Sequence, residues 1–434
     1  MSTATVEVSA RQGEAFLRSV TDMARRRPVV TSRAIFNENG VKLLEGGIVV
    51  DSSLYDRLVS HRLSTPLDEC LSSEPSVTGR TLRADIERLL DGPGFFALMG
   101  PPGRIRSMLL EAVQSMPLPT PVAFQLTLMQ ETRPELFEHS LQAALLCAHL
   151  VREGGASTQD VQSAAAAGLL HDLGMLHVAP ELLAPEHRLH GDERRPLYTH
   201  PLTGSMQLQR FHAYPRDVAR AVLEHHERLD GSGYPRGLAG EALSPLGRVL
   251  SLAEVVTAMF DGRRRHPEMR VSLLLRMSPL RFDPALVPSI HRLLRGLPPP
   301  EEASIVLVDE AIHRLQLLSD LVSDWGERTG ELPADADAER GEVLRSISEQ
   351  VETLRRMLHH AGVTRGQLAL LGEEDTSDPR LRIELWALEQ ELRWHLTAIA
   401  NQLQRRWRAA AADAAMPNPL TQWLAQVRAF DPGS

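Results

Sequence analysis

The chain of 434 residues is almost without lysine: Lys42 stands alone, and every other basic side chain among the 47 is arginine. Any task that needs a primary amine is therefore confined to one position, because arginine does not simply replace lysine. Cysteine is nearly as scarce. Cys70 and Cys147 form no CxxC pair, which excludes a disulfide framework, and Cys147 in "LLCAHL" reads as a core residue. No apolar run approaches the roughly 18 residues that cross a bilayer. The opening "MSTATVEVSARQGEAF" has neither the basic start nor the apolar centre of a secretory signal. These absences point to a reducing cytoplasm and to no membrane span. There is no excess of positive charge either. A net charge of -9 argues against a general DNA or RNA binder.

What is present is helical periodicity. The length predicts two or three domains, mainly α. Residues 1–115 read as a small α+β module, a sensor or docking element. It begins with an amphipathic helix over 1–26, continues into a hairpin around Asn39-Gly40, and has Asp51 as the N-cap of a helix over 52–63. A further helix runs through "TLRADIERLL". That module offers no glycine-rich loop, acidic phospho-acceptor cluster or heptad linker. From 122 to 295 apolar residues recur at three- and four-residue spacing, which predicts a helical bundle. After "RGLPPPEEAS", residues 300–434 read as a helical hairpin or bundle. Its stripes, with Trp386, Trp394 and Trp407, are expected to be core, part of it buried in a homodimer.

The middle segment gathers metal-ligand types. Glu135 and His139 lie four apart on one helix face, His171 and Asp172 close "AAAAGLLHD", and His200 precedes Pro201 at an expected helix start. His225 and His226 end their helix, directly before the turn "LDGSGYP", and Glu254 sits inside the next helix. Imidazoles and carboxylates suit Fe, Mn, Ni or Zn, and two such ions about 3.5–4 Å apart can lower the pKa of a bridging water and clamp a phosphate. Each piece alone is ordinary. An HD dipeptide arises by chance, an i, i+4 Glu–His pair is usually a helix-face contact, and a lone histidine such as His149, His187 or His212 is usually a surface or satisfied core residue. The order of the whole set carries the reading.

That order, "EHS…HDLG…HP…HHERLDGSGYPRGL…SLAE", resembles the HD-GYP branch of the HD phosphohydrolases over about Phe124–Glu268, roughly a third of the chain. The resemblance implies an α-helical bundle around two divalent transition-metal ions, Fe or Mn first, or three if Glu135 takes part. It implies hydrolysis of cyclic di-GMP by a metal-bridged hydroxide. The ligands carried over are Glu135, His139, His171, Asp172, His200, His225, His226 and Glu254, with Asp172 also the catalytic bridge. Tyr234 is carried over to the substrate pocket wall and Arg263 to the phosphate.

The sequence also departs from that pattern. "HDLGM" puts Met175 where the family has a phosphate-contacting lysine, and "AEVVTA" puts Glu254 and Thr257 where the family has two aspartates. The first change removes a charge whose deletion at a transition state costs about 3–4 kcal/mol. Two readings follow. One is a metal-dependent cyclic di-GMP phosphodiesterase. The other is a degenerate HD-GYP domain that keeps metal, and the nucleotide with it, and signals by binding a protein partner.

Overall fold

The computed structural model describes residues 15–50, 58, 61, 63–183, 193–260, 266–298, 308–330, 338–363, 367–368, 379–410 and 416–430. Two compact units emerge: Met1–Arg263 with Leu280–Leu297, and Arg264–Pro279 with Pro298–Ser434. The expected cap at Asp51 lies outside the described residues.

The first unit begins with helix α1, residues 15–24. Strand β1 (Val29–Thr31) pairs antiparallel with β4 (Leu71–Ser73), and β2 (Ile35–Phe36) pairs with β3 (Lys42–Leu44). The β2–β3 hairpin turns as the sequence predicts. Asn37 Oδ1 accepts the amides of Asn39 and Val41, and Gly40 takes φ 76°. Two-stranded pairs are marginal alone. Here they close over a small core of Leu17, Ile35, Leu44, Leu58 and Cys70.

The rest of the unit is a bundle: α2 (Gly79–Asp91), α3 (Arg104–Gln114), α4 (Thr120–Thr132), α5 (Pro134–Glu153), α6 (Thr158–Leu170), α7 (Arg194–Gln209), α8 (Arg216–Glu224) and α9 (Pro245–Met259). Helix α4 is buried from Val122 to Met129, as a helix with no solvent face should be. Ser157 and Asp160 form a capping box that starts α6. The run "AAAAGLL" then lets α6 press on α5. A Cβ on Gly168 would lie 2.6 Å from the backbone of Ala143. Cys147 is buried as expected.

The β-strand segment is tied to the bundle by polar contacts as well. Buried Asp68, in the turn Leu67–Glu69, accepts Gln207 Nε2 at 3.0 Å and Gln125 Nε2 at 3.4 Å. Gln207 Nε2 also donates to His177 at 2.7 Å, and the His177 ring stacks on Phe16 of α1.

The second unit is helical, with no strand among its described residues. Helices Pro267–Met277, Val308–Ser323, Trp325–Gly330, Ala338–His360, Pro379–Ala410 and Asn418–Arg428 share one apolar core. Trp325 and Trp423 meet edge to face at its centre, and Trp423 Nε1 donates to the Leu321 carbonyl. Trp407 is in that core and Trp386 is half-buried, but Trp394 is 63% exposed. The core stripe of its helix runs Leu385, Leu388, Leu392, Leu396, Ile399, Leu403. Position 394 falls two residues off that stripe, on the opposite side of the helix. Among the described residues no helix is long and apolar enough to cross a membrane.

Gly168→Ala forces a Cβ against the backbone of Ala143, where no flexible side chain can yield. It should destabilise the first unit by about 1–3 kcal/mol, read as a fall in thermal midpoint with unchanged helical content.

Candidate metal centre

Five elements bring the ligand-type side chains together. His139 comes from α5, His171 and Asp172 from the end of α6, His200 from α7, His225 and His226 from the end of α8, and Glu254 from α9. The turn after Asp172 closes the gap to α7. A Cβ on Gly174 would lie 2.1 Å from the His200 carbonyl, so only glycine allows this approach.

Three imidazoles are oriented by backbone carbonyls that helices leave unpaired. His171 Nδ1 donates to Gly168 O at 2.7 Å, and His225 Nδ1 donates to Val222 O at 2.6 Å. Both acceptors lie in the last turn of a helix, where carbonyls lack intrahelical partners. His200 is not at a helix start as the sequence predicts; α7 begins at Arg194 and carries Pro201 inside it. Proline has no N–H for the carbonyl four residues back. That carbonyl, Leu197 O, accepts His200 Nδ1 instead, at 2.5 Å. A carbonyl at Nδ1 selects, in each neutral ring, the tautomer whose Nε2 lone pair faces inward.

Those lone pairs face one another. His200 Nε2 and His225 Nε2 are 3.1 Å apart, and His171 Nε2 is buried without a hydrogen-bond partner. Two acceptors at that distance repel unless a cation lies near both. The carboxylates complete the arrangement. Asp172 Oδ2 is 3.3 Å from His171 Nε2, and its Oδ1 is 3.2 Å from His200 Nε2 and 3.8 Å from His225 Nε2. Glu254 Oε2 is 2.7 Å from His139 Nε2 and 3.0 Å from His171 Nε2. Donor atoms within 4.8 Å of one another form three groups: His200, His225 and His226; His139, His171 and Glu254; and His171, Asp172 and His225. The nitrogen and oxygen donors, their burial and their inward lone pairs fit divalent transition ions.

The charge balance points the same way. Burial pushes His225 well below the ordinary imidazole range and His226 down to about 3, so both are neutral at physiological pH. Burial works against ionised carboxylates, but His171 and His200 hold Asp172 well below its usual range, and His139 and His171 do the same for Glu254. Asp172 and Glu254 push His171 up against its own burial, so the two carboxylates draw positive charge to its Nε2, the charge that a cation in that group would supply. Two buried carboxylates thus demand positive charge in the pocket.

Of the remaining expected site residues, Tyr234 lies nearly parallel on His226, ring centroids 4.6 Å apart. Glu135 is on the exposed part of α5 and joins none of the three groups. Arg263 lies outside the described residues. Met175 is buried, packed inward. Thr257 is fully buried, its hydroxyl donating to Ala253 O on its own helix. His149 is a core residue whose Nδ1 donates to Met99 O, and His212 is exposed; His187 lies outside the described residues.

Four supporting residues are not legible in the sequence. Glu227 accepts the amides of Arg236 and Leu238, and Glu224 accepts the amide and hydroxyl of Ser244, so the loop after His226 hangs from two buried carboxylates. Their signal was "EHHE", one acid on either side of the histidine pair. Gly233 seals the loop, since a Cβ there would lie 2.4 Å from Glu227 Cα. Arg133 donates to the carbonyls of Met175 and Val178, clamping the turn that follows Asp172.

Pro201→Ala restores an N–H that competes for Leu197 O. It should leave the helix intact and weaken metal binding at the His200 group by about tenfold, as loss of an orienting contact does, measured by chelator competition.

Residues 125–286 match the HD domain family. A 127-residue stretch is 36% identical to the "3'3'-cGAMP-specific phosphodiesterase 1" of Vibrio cholerae, covering 29% of this chain and 29% of that protein. A cyclic di-GMP phosphodiesterase of Pseudomonas aeruginosa is 34% identical over 127 residues, covering 29% of this chain and 31% of that protein. The chain thus matches under a third of the length of these relatives. Among solved structures, an HD-GYP-type protein from Bdellovibrio bacteriovorus aligns over 62% of this chain and 94% of its own, at 13% identity and a TM-score of 0.35. Residues 125–286 of the chain are thus similar to the HD domain family, and the relatives matched within that stretch are named as phosphodiesterases of cyclic dinucleotides.

Proposed function

We propose that this chain is a metal-dependent phosphodiesterase acting on a cyclic dinucleotide, with cyclic di-GMP the first candidate. The observation that carries the reading is the pair of facing lone pairs on His200 and His225, 3.1 Å apart, with Asp172 within reach of both. His139, His171 and Glu254 would hold one divalent ion, and His200, His225 and His226 a second. Asp172, with one oxygen towards each group, would bridge them. Bound there, two such ions supply a nucleophile from water at neutral pH and neutralise a phosphate.

The chain's own residues do the rest. Carbonyl contacts at Nδ1 fix His171, His200 and His225 before any ion arrives, so little reorganisation of those three rings accompanies binding. The buried ligands keep bulk water from the donors. Tyr234 walls one side of the site against His226. The names of the relatives, which are cyclic di-GMP and cGAMP phosphodiesterases, support the substrate class.

The second reading, a domain that holds metal and nucleotide but turns over little, is favoured by one observation. Position 175, where the family has its lysine, carries a buried methionine, which has no charge to offer a phosphate.

Protein purified anaerobically and loaded with Mn should carry two ions per chain by elemental analysis, and should linearise cyclic di-GMP or cGAMP. Asp172→Ala should lose at least one ion and all product. Wild-type product no greater than that of Asp172→Ala overturns the enzyme reading. Met175→Lys separates the two readings: an enzyme gains modestly in kcat, whereas a degenerate binder acquires turnover that the native chain lacks. A transition-state cation is worth about 10²–10³-fold.

A further inference from the structure

Helix α7 presents two different faces. One buries His200, Gly204, Gln207 and Leu208. The other exposes Tyr198, Leu202 and Met206 at four-residue spacing. Exposed apolar side chains scattered singly are ordinary, and Leu202 and Met206 need no further explanation. Tyr198 is placed differently. Its ring lies 4.6 Å from the ring of Tyr234, inclined at 68°, and Tyr234 in turn lies 4.6 Å from His226 at 21°. His226 belongs to the ligand group with His200 and His225. A line of three rings therefore runs from the ligand cluster to the surface. Its outer member, Tyr198, is 44% exposed, which leaves ring surface open to a planar ligand.

A nucleotide whose phosphate sits at the ligand cluster carries its base one ribose away, a separation comparable to the two ring contacts between His226 and Tyr198. A sugar phosphate gives a phenol ring nothing to stack on, whereas a purine gives it a full π-face. We propose that Tyr198 is the stacking platform for one nucleobase of the substrate and that it sets a preference for base-bearing phosphodiesters over bare sugar phosphates. The inference rests on the nucleotide reading above, and Tyr198 binds substrate without touching the ligand groups.

The test is calorimetric titration of Mn-loaded full-length protein with GMP, and with ribose 5-phosphate, which keeps sugar and phosphate but lacks the base. Tyr198→Ala should weaken GMP about tenfold, leave ribose 5-phosphate and metal content unchanged, and raise KM for the cyclic dinucleotide with little change in kcat. Tyr198→Phe should keep wild-type affinity, and Met206→Ala, two turns along the same face, should have no effect. Equal weakening of both ligands, no weakening of either, or failure of Tyr198→Phe to retain affinity overturns the role of Tyr198 and leaves the nucleotide reading standing. Wild-type protein that takes up neither ligand overturns the nucleotide reading and this inference with it.

Discussion

The candidate centre depends on carbonyl groups that helices cannot use. A regular helix consumes its own acceptors, except in its last turn and at a proline. This fold sets a histidine at each of three such places: after α6, after α8, and beside Pro201 within α7. The backbone takes the Nδ1 proton each time, so in the neutral ring Nε2 is left to accept. Three acceptors and two ionised carboxylates then meet in a buried volume, an arrangement that is costly without positive charge and favourable with it. For these three imidazoles orientation is thereby a property of the main chain, and it does not wait on a second side chain.

Glycine and acid do for the surroundings what the carbonyls do for the ligands. Gly168 brings α5 and α6 together, Gly174 sets the turn after Asp172 against α7, and Gly233 lays the following loop on Glu227. Glu224 and Glu227 hold that loop by its amides, and the loop carries Tyr234 onto His226. The aromatic wall is rigid because its anchors are buried and fully engaged.

Much of this was legible in the chain because it is written locally. The hairpin at Asn39-Gly40 shows in turn chemistry, the bundle in three- and four-residue periodicity, and the ligand set in the order His, His-Asp, His, His-His, Glu. What was not legible is through-space. Reading Pro201 as the start of a helix follows the usual preference of proline for the first turn, but the helix begins at Arg194 and the proline frees an acceptor instead. Arg133 clamps carbonyls 42 and 45 residues away, and nothing near it in sequence announces that. Glu224 and Glu227 look like ordinary charges flanking the histidines until the loop folds back on them. Trp394 was misread because a stripe was inferred from residue type, where its phase on the helix decides exposure.

The seam around Asp68 bears on how the first unit can be divided. One carboxylate from the strand region satisfies amide donors from α4 and α7, and the same Gln207 amide reaches His177, at the far end of the turn that begins beside Asp172. Cutting the chain ahead of the bundle would strip those donors of their acceptor and bare the ring of His177. A bundle excised for study would begin with an open polar scar beside its ligand turn, so the strand segment is a part of the bundle's wall more than a detachable attachment.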